Sequence, residues 1–164
     1  RSMNVHFGGF KVQGLAFINK KQAYDLRNVE VHADDVLLNI TGASIGRTCI
    51  APMDMHGARV NQHVCIIRPN HKMILPEVLA FQISMPSFQQ KIMMRQSGAT
   101  RQAFTFTQIS DFNIILPDIA IQNHFVAVMR AISDISQKQK EQDSRLLISE
   151  NNLLSKGFTG ELVT

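Results

Sequence analysis

The sequence predicts an α+β chain. A mixed β-sheet domain with small helices covers 1–117, and one long C-terminal helix of coiled-coil type with a C-terminal tail follows over 118–164. Three observations carry that prediction. Short β-branched runs punctuated by Gly, Pro, Asn and Asp fill the first part of the chain. The apolar period then changes to three and four residues after Pro76. From Asp118 a single heptad pattern continues with no Pro or Gly before Gly157.

A faint first strand is expected within Phe10–Ile18. Val36-Leu37-Leu38-Asn39-Ile40 is a short apolar run that follows Asp34-Asp35 and closes at Thr41-Gly42. Arg47–Ala51 stops at Pro52, and Val64–Ile67 stops before Pro69; both read as strands. Pro76 suits the first turn of a helix, where its missing N–H loses nothing, and Leu79 and Ile83 share one face. A second helix starts near Pro86-Ser87, with Phe88 and Ile92 on one face and Arg95 at its end. Met93-Met94 is expected to fill core, and Gly98 to stop the helix. Thr105-Phe106-Thr107-Gln108 has capping-box spacing and predicts a short helix. Asn113–Leu116 reads as a last strand ending at Pro117.

Asp118 can cap the first amides of the long helix. Ile121, Phe125, Val128, Ile132 and Ile135 are spaced four, three, four, three, and the same register continues through Gln139, Gln142, Leu146, Ser149 and Leu153. This seam is apolar at both ends and polar in the middle. A helix of nearly 40 residues, roughly 55 Å long at 1.5 Å per residue, follows from it. So long a helix on so small a domain requires a partner. The polar middle points to control of register and partner choice.

The net charge of +4 is unevenly placed. Residues 1–116 hold 12 Lys/Arg against 7 Asp/Glu, and residues 117–164 hold 5 against 6. The basic excess of the front part favours an anionic partner, of which nucleic acid is the commonest. No apolar run reaches the roughly 18 residues that a membrane helix requires, and no apolar signal region follows Arg1-Ser2-Met3, so a cytoplasmic protein is expected. Cys49 and Cys65 fall in stretches read as adjacent strands. A disulfide is conceivable there, against the plainer reading of two buried thiols.

Enzyme motifs are missing. The six histidines are scattered without HExxH, and no Cys pair has zinc-ligand spacing. Gly42-Ala43-Ser44-Ile45-Gly46 resembles a phosphate loop but joins two strands and opens no helix. The same five residues spell Gly-x-Ser-x-Gly, but a turn between two strands makes no strand-to-helix elbow to support an acyl-transfer nucleophile, and there is no carboxylate pair or cofactor-binding glycine fingerprint. A non-catalytic chain with no cofactor and no metal is expected.

Several segments in order resemble the specificity subunit of type I restriction-modification enzymes. They are Asp35–Arg47, Val60-Asn61-Gln62-His63, Gly98-Ala99-Thr100-Arg101-Gln102, Leu116–Gln122 and Gly157–Leu162. The resemblance implies two target-recognition domains per subunit, each followed by a long helix, with the helices paired antiparallel and each domain reading half of a split DNA site. Methylation would belong to separate modification subunits using S-adenosylmethionine, and cleavage to an ATP-driven restriction subunit. One domain and one helix make this chain half of such a subunit, with a front that starts late relative to the family. Partners would be double-stranded DNA, methyltransferase subunits, the restriction subunit, and a second copy or another half subunit. Asp118 stands where the family commonly has a second proline, and Ile121 where it has glutamate.

For DNA contact the best basic group is Arg95, Ser97, Thr100, Arg101 and Gln102, more suited to holding phosphate or bracing the fold than to reading a base. Ser44 and Arg47 either touch the DNA backbone or serve a tight turn. Asn61 and Gln62 either bond an adenine edge or satisfy a turn. Base readers are expected in Lys20-Lys21, Met53–Arg59 and Asn70–Lys72. Pairing of the helix is assigned to Ile121, Phe125, Val128, Ile132, Ile135, Leu146 and Leu153. The alternative is a coiled-coil adaptor that has lost DNA reading.

Overall fold

The computed structural model describes residues 1–96 and 103–159, apart from the side chains of Arg95, Gln96, Gly157 and Thr159. The chain forms two compact units, Arg1–Asn123 and His124–Thr164. The first is α+β, and the second is helical.

The first unit is built on a three-stranded antiparallel sheet of β3 (Val36–Asn39), β4 (Thr48–Ile50) and β5 (Val64–Ile67), in the order β4-β3-β5. Every residue of β3 is buried, as expected of a continuous apolar run covered on both faces. Leu37 pairs with Cys49 on one side and Ile66 on the other, while Leu38 pairs with Thr48 and Cys65. Because successive side chains point to opposite faces, Leu37, Cys49 and Val64 enter one core cluster with Val5, Val31 and Ala51. A small hairpin of β1 (Val5–His6) and β2 (Gly9–Phe10) supplies Val5. Helix α2 (Pro76–Ser84) lies along β4 and β3, burying Val78, Leu79 and Ile83. Helix α3 (Pro86–Gln96) buries Phe88 and Ile92.

Two short helices have complete capping boxes. In α4 (Phe106–Ser110) the Thr105 hydroxyl accepts from Gln108 N–H while the Gln108 side chain accepts from Thr105 N–H. In α1 (Lys20–Asp25), Asn19 and Gln22 do the same. Each pair satisfies two amides that would otherwise lack partners at a helix start.

Three expectations need correction here. Only Gly9–Phe10 of the expected strand over Phe10–Ile18 pairs; beyond it the Asn4 side chain donates to the carbonyls of Lys11 and Gln13, and Gly14 turns the chain at φ +71°. No strand forms over 113–116, because both backbone groups of Ile115 are taken by one side-chain amide, Gln82. Met93 and Met94 are exposed, since burying Phe88 and Ile92 turns the next two positions outward. The plainer reading of Cys49 and Cys65 holds: they sit on strands separated by β3, face opposite sides of the sheet, and are free, buried thiols. Burial pushes the Cys65 thiol upward and the Cys49 thiol up to about 11.

The long helix α5 (Ile119–Thr159) has 41 residues. It continues through Gly157 instead of stopping there; one glycine costs a helix only about 1 kcal/mol. Gln122, in its first turn, is 1% exposed. Its side chain accepts from Leu75 N–H and donates to the carbonyls of Met73 and Pro117, so the helix start is bonded into the first unit. The family-like Leu116–Gln122 segment therefore has a structural role that its residue pattern alone did not disclose.

Candidate nucleic-acid interface

Antiparallel pairing brings the end of β3 and the starts of β4 and β5 to one end of the sheet. The 41–47 turn and the 61–63 turn meet there. Ile40 N–H donates to His63 carbonyl, and Thr41 Oγ1 lies 2.6 Å from His63 Nδ1. Ala103 pairs with Thr41 at the same place. Four sequence-assigned residues, Ser44, Arg47, Asn61 and Gln62, are thus neighbours of one another's turns at this end.

Their surroundings differ. Ser44 Oγ accepts from Asn39 Nδ2, and its carbonyl accepts from Arg47 N–H. Asn61 Oδ1 accepts from His63 N–H, and its carbonyl from Val64 N–H. Both residues therefore serve the turns that contain them. Gln62 is exposed and Arg47 half-buried; among the described residues no carboxylate pairs with the Arg47 guanidinium. Arg95 lies in the last turn of α3. Ser97, Thr100, Arg101 and Gln102 lie outside the described residues, as does Gly98.

The three loops assigned to base reading also separate. Lys20 and Lys21 are exposed on α1, and Lys72 is exposed. Arg59 is occupied internally: it pairs with Glu30 at 2.6 Å and donates to the carbonyls of Ala23, Gly57 and Ala58. It ties the 57–59 stretch to α1 and to Glu30.

The other end of the sheet, where β3 starts and β5 finishes, carries a feature without a local sequence signal. Asp35, 1% exposed, accepts from Arg68 Nε at 2.7 Å, Arg68 Nη2 at 2.8 Å and His32 N–H at 2.7 Å. The hydrogen bonds to Asp35 raise the Arg68 pKa, more than offsetting burial, so the guanidinium stays charged. An open cavity of about 440 Å³ beside this pair is lined by Arg27, Asn28, Glu30, His32, Ile66 and Arg68. Among the described residues, no cluster of His, Cys, Asp or Glu could hold a metal ion.

Along α5 the assigned seam residues Ile121, Val128, Ile132, Ile135, Leu146 and Leu153 are exposed, and Phe125 is half-buried. No helix among the described residues is long and apolar enough to cross a membrane.

A small buried sheet with polar turns at both ends, followed by a long helix, defines an α+β recognition domain with a helical arm. Comparison with known proteins is specific: the type I restriction modification DNA specificity domain family matches residues 9–143, and the chain belongs to that family. It is 26% identical over 166 residues to the type I restriction enzyme EcoBI specificity subunit of Escherichia coli, covering 99% of this chain and 35% of that subunit. A solved structure of the HsdS subunit from Thermoanaerobacter tengcongensis shares the fold with a TM-score of 0.54 at 20% identity, over 68% of this chain and 29% of that one. A second, from work on complex assembly and conformational transition of the type I R-M system, gives 0.56 at 20% identity, over 81% and 34%. The chain spans about a third of the length of these relatives.

Proposed function

We propose that this chain reads one half of a split DNA site as half of a type I specificity subunit. Residues 1–117 bind the duplex, and residues 118–164 pair with a second arm that sets the distance between half-sites. The observation that carries this reading is the family match over 9–143, which spans the sheet unit and the first 25 residues of α5. The exposed heptad seam supports the pairing role, since an apolar stripe of this kind is stable in water only against another helix. In this reading the chain is cytoplasmic and non-catalytic. It directs methyltransferase subunits and a restriction subunit, and its partner helix comes from a second copy or a different half subunit.

Selection from a randomised duplex pool tests the reading. A homodimer should enrich a short inverted repeat with a fixed spacer, because two-fold symmetry in the protein is mirrored in the site. Recovery of no motif, with dimer formation intact, would favour the adaptor reading instead.

A further inference from the structure

The cavity beside Asp35 and Arg68 lies at the end of the sheet opposite Ser44, Arg47, Asn61 and Gln62. We infer that it is a second DNA contact, a seat for one backbone phosphate held by Arg68, Arg27 and Asn28; this rests on the DNA-binding reading above.

Three observations lead there. First, Arg68 is fixed in place. Its carboxylate partner is buried and itself tied to His32 N–H, while Arg68 Nη2 also donates to Glu30 carbonyl at 3.0 Å. Nε and both Nη2 hydrogens are therefore engaged. Only Nη1 is left to face the cavity, on a side chain that is still 48% exposed. Such a guanidinium loses little further freedom when a ligand arrives.

Second, the charges around the cavity do not cancel. Arg59 neutralises Glu30, with His32 also 3.9 Å from that carboxylate, and Arg68 neutralises Asp35. Arg27 is the remaining cation. Its guanidinium stands 4.6 Å from the Tyr24 ring centroid, and Nη1 donates to Tyr24 carbonyl. Ring and carbonyl hold it at the cavity wall beside the exposed amide of Asn28.

Third, the donor geometry separates phosphate from base. Bidentate reading of guanine requires two donor atoms along one guanidinium edge. Arg68 has one donor atom free, so it cannot present that fork while Asp35 holds it. A phosphate oxygen accepts single donors from several directions, and Arg68, Arg27 and Asn28 all line the cavity.

The test uses the full chain and two labelled duplexes, one of random sequence and one carrying the motif returned by selection. Affinities are measured from about 50 to 200 mM salt, the range over which counterion release dominates. Arg27→Gln and Arg27→Gln/Asn28→Ala change exposed side chains and leave the Asp35 pair alone; Lys138→Gln in α5 is the control for loss of one charge. The expected result is several-fold weakening on both duplexes by the same factor, with the salt slope smaller by about one phosphate, and no such change for Lys138→Gln. Unchanged affinity in both Arg27 variants overturns the inference and leaves the DNA-binding reading intact. So does loss of preference at one base pair with random-duplex affinity kept, which means a base contact, or an equal effect of Lys138→Gln, which means net charge alone. Failure of the unmodified chain to bind either duplex removes the reading and the inference together.

Discussion

Helix α2 and the arm of α5 treat the same residue type in opposite ways. Ile83 in α2 is 2% exposed, whereas Ile132 and Ile135 in α5 are 54% and 58% exposed. Helix α2 closes its apolar face over the sheet. The second leaves a stripe of Ile, Val and Leu open along its length. Burial of the first needs one molecule; in the proposed reading, burial of the second needs a partner helix.

Substitutions in the two places separate these behaviours. Ile83→Ala should cost about 3 kcal/mol, the usual penalty for emptying a packed site, and should lower the melting temperature at every protein concentration. If melting were unchanged, α2 would not be holding the sheet. Ile132→Ala with Ile135→Ala should leave the melting of the first unit alone and weaken self-association at least tenfold, on the order of 1.4 kcal/mol or more. Sedimentation equilibrium over a concentration series reads that change, and an unaltered dissociation constant would break the contrast between the units.

Alkaline pH should act only on the first unit. The Cys49 thiol is raised to about 11 from 9.0 by burial. A raised acid is protonated more in the folded chain than in the unfolded one, so its contribution is complete below pH 9 and is lost as pH rises through about 11. Denaturation curves across this range should show falling stability, by at most roughly 3 kcal/mol from this group, and Cys49→Ala should flatten the decline. The smallest effect belongs to a helix end. Thr105→Ala removes the α4 cap and should cost about 1 kcal/mol, visible as a modest fall in melting temperature.

The same contrast explains what could be read in advance. The runs 36–39 and 64–67 are apolar, short and bounded by turn formers, so their strands follow from local chemistry. Thr105 and Gln108 announce their cap in the same way, and Asn19 with Gln22 carries an equal signal. Nothing local marks Gln82 as the partner of Ile115, 33 positions away, and that bond replaces a strand. The site was less legible than the fold. Ser44 and Asn61 are polar residues in turns, and turns engage them directly. Asp35 and Arg68 are also 33 positions apart and meet only because β3 pairs with β5.

Gly46 narrows where variation can enter such a protein. It sits at φ +84°, and a side chain there would run into the amide of Gln89, which is itself pinned by bonds to the carbonyls of Gly46 and Ile83. A position that tolerates one residue cannot encode alternatives. In the proposed reading, preference for a different target would be written in largely exposed stretches such as 53–57 and 70–73, while the 41–47 turn stays the same hinge of the page.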